Sequence, residues 1–117
     1  MGEVNMHLNM TVSAMTVSSF LKALNTYDYE GAGEFISNDM RFEGVLGSVN
    51  GKKKYLGQMA KMKFRYDVKK LLYDEETVSV LYEIQMGRKT VLASGWYEVR
   101  EGLITHIRVI FDPRAML

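Results

Sequence analysis

The stretch Thr77-Val-Ser-Val-Leu-Tyr-Glu-Ile-Gln-Met86 decides the fold. Val78, Val80, Tyr82, Ile84 and Met86 alternate with Ser79, Leu81, Glu83 and Gln85. A period of two carried by β-branched and aromatic residues predicts a strand, because successive side chains of an extended chain point to opposite faces. Gly87 and Arg88 then turn the chain. Thr90 to Val99 predicts a second strand, with Thr90, Leu92, Ser94, Trp96 and Glu98 on one face. Arg100, Glu101 and Gly102 make a tight turn, where glycine tolerates a positive φ. Leu103 to Phe111 predicts a third strand, with Ile107, Val109 and Phe111 on one face and His106, Arg108 and Ile110 on the other. Both faces of this antiparallel unit are largely apolar. Such a sheet needs two covers, helices on one side and a partner on the other.

Upstream, Val17, Phe20, Leu21 and Leu24 form an i, i+3, i+4, i+7 stripe, which predicts a helix from about Ser13 to Tyr27. Asp28 reads as the N-cap of a short helix over Tyr29 to Ile36, with Glu30 favourable near its start. Asn38 and Asp39 lead into a short strand, Met40 to Glu43, and a loop, Gly44 to Asn50. A third helix runs from Gly51 to about Met62, followed by a strand, Phe64 to Tyr73, and a hairpin turn, Asp74 to Glu76. The order ααβαββββ is an α+β pattern. Residues 1–12 are expected to be a loosely ordered N-terminal segment, and 13–117 a single domain.

Composition narrows the function classes. With 117 residues the chain is long enough for one real core. No cysteine is present, which removes disulfides and thiolate chemistry, and the two histidines, His7 and His106, lie far apart. A zinc site is therefore not expected. No apolar run reaches the roughly 18 residues that a membrane-spanning helix needs. No basic n-region precedes the mildly apolar Leu8 to Leu21, so the cytoplasm is the default location. Between Lys52 and Lys70 eight basic residues face one acid, Asp67. A net charge of +1 and the absence of an RNA-binding motif argue against a nucleic-acid partner and for a solvated face whose lysines discourage edge pairing. Nine methionines suit an adaptable interior.

Three segments, Phe20-Leu-Lys-Ala-Leu-Asn25, Asp28-Tyr-Glu-Gly31 and above all Gly87-Arg-Lys-Thr-Val-Leu-Ala93, carry a resemblance, and Gly102-Leu-Ile-Thr-His-Ile-Arg-Val-Ile-Phe111 fits the same pattern. With the order of elements, they resemble the nuclear transport factor 2-like superfamily in its SnoaL-like and ketosteroid isomerase-like branch, over nearly all of Ser13 to Phe111. The resemblance implies a cystatin-like α+β roll: a cone-shaped, strongly curved, mostly antiparallel sheet packed on three N-terminal helices, with a pocket between. It also implies a homodimer through the outer sheet face, and no metal or organic cofactor. The fold hosts many activities, so function rests on the site.

Steroid isomerases of this kind need a carboxylate base and an oxyanion hole built from a tyrosine and a protonated aspartic acid. The resemblance places these roles on Gly44, Phe20 and Trp96, none of which can fill them as required. Epoxide hydrolases of the superfamily use two aspartates and an arginine, but the matching strands here carry Val80, Tyr82 and Val109. SnoaL-like cyclases rely on a pocket acid, for which Asp112 is the nearest candidate. Asp112 also reads as a strand-end residue bonding local backbone or Arg114. A one-residue slip from Gly44 would offer Glu43 as the base, but strand alternation aims it away from the face of Phe42.

The implied pocket lining is Phe20, Leu24, Phe42, Met59, Val78, Val80, Tyr82, Trp96, Ile107, Val109 and Phe111, with Gln58 as an added polar point. A mainly apolar cleft with few polar groups suits a small hydrophobic or aromatic molecule. A weaker reading makes the protein an acid–base isomerase, cyclase or hydrolase, with Tyr82, Asp112 and Glu43 as the candidate catalytic residues. The alternative is an interior filled by Phe20 and Trp96, which would leave a non-catalytic dimerisation or interaction module. His106 is expected on the outer face with Arg108, and Arg108 could pair with Glu83 or Glu98 across the dimer.

Overall fold

The computed structural model of the chain describes residues 11–116. The order is α1 (Val12–Asn25), α2 (Tyr29–Gly33), β1 (Ile36–Gly44), β2 (Gly47–Asn50), α3 (Lys52–Met62), β3 (Arg65–Tyr73), β4 (Thr77–Met86), β5 (Lys89–Arg100), β6 (Leu103–Phe111) and a 3-10 turn (Pro113–Met116). The strands form one sheet in the order β2-β1-β6-β5-β4-β3. β1 runs parallel to β6, and every other neighbouring pair is antiparallel. Apart from Thr11 and Val12, the expected N-terminal segment, with His7, lies outside the described residues.

The expected strongly curved, cone-shaped sheet in the order ααβαββββ is corrected. The sheet is mixed and open: its strands follow one linear order from β2 at one edge to β3 at the other, so it neither curves strongly nor closes into a cone. β3 is a free edge, largely exposed, with Lys69 and Lys70 at an irregularity in its register with β4. Lysines and a bulge on an edge both discourage further strand pairing. An additional strand, β2, lies inside the expected loop Gly44 to Asn50 and pairs with β1 through Phe42↔Val49 and Gly44↔Gly47. The two-residue turn between them is Val45-Leu46, which carries no turn chemistry, so only the following Gly47, at φ 148°, marks it.

Local sequence explains the helices. The Thr11 side chain accepts from the Ala14 N–H at 3.2 Å and caps α1. Ala14, Val17, Phe20, Leu21 and Leu24 are its buried stripe, laid against β3 to β6. Asp28 caps α2 by accepting from the Gly31 N–H at 2.9 Å. Gly31 lets the carboxylate sit close, because a Cβ there would oblige the Asp28 side chain to shift. α2 stops at Gly33 rather than Ile36 because two of its five residues are glycine, and Ile36 instead pairs with Ile104 of β6. α3 lies over β1 and β2 and buries Tyr55 and Met59, one turn apart.

Register divides the sheet into two chemically different faces. Residues opposite one another on neighbouring strands share a face. Val80↔Gly95, Tyr82↔Ala93 and Tyr97↔Ile107 therefore place these residues, with Val78, Ile84, Val91, Val99, Ile104 and Val109, toward the helices. Ser79↔Trp96 and Trp96↔Arg108 place Trp96 on the opposite face. An irregularity at Glu98/Val99 lets Ile104 and Ile107, three apart, both face inward.

A side-chain amide ties α1 to the sheet edge. Asn25 donates Nδ2–H to the Tyr66 carbonyl at 2.8 Å and accepts from the Tyr66 N–H at 2.6 Å, as a neighbouring strand would. Asn25→Ala removes both bonds and leaves a part-buried peptide group unpaired. We expect a loss of about 1–3 kcal/mol, read as a lower urea midpoint with an unchanged slope. An unchanged midpoint would show that the clamp carries no stability.

Candidate functional site

A cavity of about 390 Å³ lies between α3, the β1–β2 hairpin and the inner sheet face. The hairpin contributes Phe42, Gly44, Val45, Leu46, Gly47, Ser48 and Val49. α3 contributes Tyr55, Gln58, Met59 and Met62, and the start of the next strand region adds Phe64 and Tyr66. The sheet floor is Ile84, Met86, Tyr97, Ile107, Val109 and Phe111. Among the described residues the lining holds no Asp, Glu, Lys, Arg or His. The lining residues with polar side chains are Tyr55, Tyr66, Tyr97, Ser48 and Gln58. Val45, Leu46 and Met62 are exposed, so the cavity has an apolar rim.

Aromatic rings connect the walls to the core. Phe42 and Tyr55 have ring centroids 5.4 Å apart, and Tyr66 and Tyr82 5.3 Å. Phe20 sits between Tyr55 and Tyr97, at 6.4 and 6.5 Å. The Tyr82 and Tyr97 hydroxyls share a buried hydrogen bond of 2.8 Å. Gly95 makes this possible, since a Cβ there would collide with the Tyr82 hydroxyl and the Tyr97 ring. Burial, the largest cause for each, pushes the hydroxyls of Tyr55, Tyr66, Tyr82 and Tyr97 above their ordinary value of 10.0. They are therefore protonated at neutral pH.

Of the expected lining, Phe42, Met59, Ile107, Val109 and Phe111 border the cavity, as does Gln58. Phe20, Leu24, Val78, Val80 and Tyr82 are buried in the core beside it and do not border it. Trp96 is on the other side of the sheet and 43% exposed, because it stands opposite Ser79 rather than Val80. The residue that enters the site from β5 is Tyr97. Its signal was the alternation Val91, Ala93, Gly95, Tyr97, Val99, in which two small residues leave room for large ones. Tyr55 was readable as the residue one turn before Met59.

The three candidate catalytic groups are not brought together. Tyr82 is inside. Glu43 lies on the outer face, where its Oε2 takes bonds from His106 Nε2 and Arg108 Nε, each at 2.9 Å. His106 Nδ1 is 3.3 Å from Glu98 Oε2, and Arg41 reaches Glu43 Oε1 at 3.5 Å. The bonds from His106 and then Arg108 hold the Glu43 carboxyl below its ordinary value. Asp112 is exposed and chelated by Arg114, with Nη2 to Oδ2 at 2.6 Å, which lowers its carboxyl too. Among the described residues no group of three or more His, Cys, Asp or Glu could hold a metal ion, and no helix is long and apolar enough to cross a membrane.

Because the folded Glu43 carboxyl is more acidic than its unfolded value of 4.5, its stabilisation is present above that value and lost as pH falls through the lowered one. Glu43→Gln is therefore expected to lower Tm at pH 7, with the gap to wild type closing in the acid range below 4.5. A gap that stays constant with pH would exclude the charge network as its cause.

A SnoaL-like domain model matches residues 17–107 of this chain. An NTF2-like protein of unknown function from Cytophaga hutchinsonii is 36% identical and superimposes with a TM-score of 0.87, over 92% of this chain and 96% of that one. An LEH-like epoxide hydrolase from M. tuberculosis is 23% identical, with a TM-score of 0.78 over 90% and 86%. An NTF2-like protein of unknown function from Burkholderia xenovorans is 12% identical, with a TM-score of 0.78 over 86% and 83%. The last two are likenesses of fold alone. No curated protein matches the sequence.

Proposed function

The chain belongs to the SnoaL-like family within the nuclear transport factor 2-like superfamily, and from that premise we propose that it binds a small hydrophobic or aromatic molecule in the cavity beneath α3. One observation carries this reading: the cavity is lined by apolar and aromatic side chains with no charged group among the described residues. A charged ligand would lose its hydration there with nothing to replace it. The open volume favours a binding protein over a filled interaction module.

Binding is also favoured over acid–base turnover. Proton transfer needs a group whose pKa lies near the working pH. The lining offers tyrosine hydroxyls raised by burial, while Glu43 and Asp112 are engaged elsewhere by cations. The residues that the resemblance assigns to steroid isomerisation are Phe20, Gly44 and Trp96, so that chemistry has no base here.

The outer face supports a homodimer. Leu72, Leu81, Leu92, Trp96 and Ile110 project there, with Ile110 67% and Leu92 61% exposed. Large exposed apolar side chains gathered on one sheet face are ordinarily covered. Wild-type protein is expected to sediment as a dimer, and the double variant Leu92→Glu, Ile110→Glu as a monomer. A wild-type monomer would remove this part of the proposal.

For the cavity, the test is titration with 2-isopropylnaphthalene by calorimetry. Wild type is expected to bind it, and Val109→Trp, which pushes an indole into the floor, to bind at least about tenfold more weakly. No measurable binding to wild type would contradict the proposed function.

A further inference from the structure

The two ends of the sheet carry opposite charge. β1 runs parallel to β6, and β5 is antiparallel to both β4 and β6, so register fixes which turns share an end. Val45-Leu46, the passage from α3 through Lys63 into β3, the Gly87-Arg88 turn and the close of β6 lie together at one end. Asp74 to Glu76 and Glu101 lie at the other. The first end is where the cavity has its apolar rim of Val45, Leu46 and Met62. A net charge of +1 hides this polarity.

Lys61, Lys63, Arg65 and Arg88 are exposed at the cavity end, and among the described residues they join no ion pair. The nearby acids are engaged. Arg114 chelates Asp112, Asp28 caps α2, and Lys69 holds Asp67 and Glu83. Lys52 and Lys53 are different, because they share a groove between α2 and α3 with Glu30 and Glu34. Amid the four unpaired cations stands an aliphatic tip. Leu46 is 68% exposed, and Val45 and Met62 are exposed beside it. Nothing in the fold asks for Val-Leu in an exposed two-residue turn, where glycine and short polar residues are the rule.

We propose that this end of the molecule docks on an anionic lipid bilayer. Val45, Leu46 and Met62 enter the headgroup region, and Lys61, Lys63, Arg65 and Arg88 meet the anionic headgroups. Aliphatic side chains projecting from among cations combine the two forces of interfacial binding, burial of apolar area and attraction to a negative surface. Nucleic acid fits less well. An aliphatic tip gives bases no ring to stack on, and Tyr27, an exposed ring nearby, already has Lys63 Nζ 5.9 Å from its centroid. The docking surface stands without the cavity reading. With it, a hydrophobic ligand dissolved in the bilayer reaches the cavity mouth without crossing water.

The experiment is co-sedimentation of the full-length protein with vesicles of equal parts phosphatidylserine and phosphatidylcholine, and with vesicles of phosphatidylcholine alone. Wild type is expected to sediment with the first and not with the second. The triple variant Lys61→Gln, Lys63→Asn, Arg65→Gln is expected to bind the anionic vesicles at least about tenfold more weakly. Asparagine suits position 63, whose φ is 52°. None of the three lines the cavity, so this variant is expected to keep its affinity for 2-isopropylnaphthalene in vesicle-free solution. The chain has no cysteine, so Leu46→Cys can carry a single nitrobenzoxadiazole dye. Its emission is expected to rise on the anionic vesicles, while the same dye at Glu75→Cys, at the far end, stays unchanged. No sedimentation, equal sedimentation with both vesicles, or a silent dye at position 46 on bound protein overturns the proposal. Protein that leaves the vesicles alone and takes a single-stranded oligonucleotide assigns the surface to nucleic acid and overturns it too. The solution titration reads the cavity separately, so either reading can fail without the other.

Discussion

The interior depends on the space that Gly95 leaves empty. β4 and β5 meet with Val80 opposite Gly95, and that pairing brings Tyr82 and Tyr97 to the same face. Two tyrosines can stand so close only where the residue between them has no side chain. Their hydroxyls then satisfy each other in part, which makes two polar groups tolerable in a core of Phe20, Leu24, Val78 and Val80. The same register sends Trp96, the largest side chain of β5, to the opposite face. One constraint thus sets what fills the core, what borders the cavity and what the outer face presents.

The two faces divide the chemistry. Ionised groups gather outside, where Glu43 joins β1 to β6 through His106 and Arg108, and where Lys69 pairs with Asp67 and Glu83. The inside keeps neutral donors: tyrosines whose protons burial retains. Such an arrangement suits recognition of a neutral molecule by shape and one or two hydrogen bonds. It suits carboxylate-driven proton abstraction poorly, because no acid among the described residues lines the cavity.

Much of this was legible in the sequence, for physical reasons that differ by element. β4 alternates strictly and β6 does so from Ile107 onward, and their inward residues, Val78, Val80, Tyr82, Ile107 and Val109, could be read directly. α1 announced itself by its stripe, and α2 by Asp28. β5 alternates as well, but both of its faces carry aromatic groups. Choosing Tyr97 over Trp96 required knowing the register with β4, which periodicity alone does not contain. β2 was hidden because Gly47, Ser48 and Asn50 read as loop residues, and its turn, Val45-Leu46, reads as strand. The openness of the sheet lay beyond local pattern, since it depends on which strands end the hydrogen-bonded order.

The central claim is that an apolar aromatic molecule occupies the space under α3, and the methionines report on that space. Met59, Met62 and Met86 border the cavity, while Met40 is fully buried in the core. The direct measurement is a methyl NMR titration of methionine-labelled protein with 2-isopropylnaphthalene. The account predicts saturable ring-current shifts at Met59, Met62 and Met86, with Met40 nearly still. Shifts confined to other methionines, or none at saturating ligand, would contradict it.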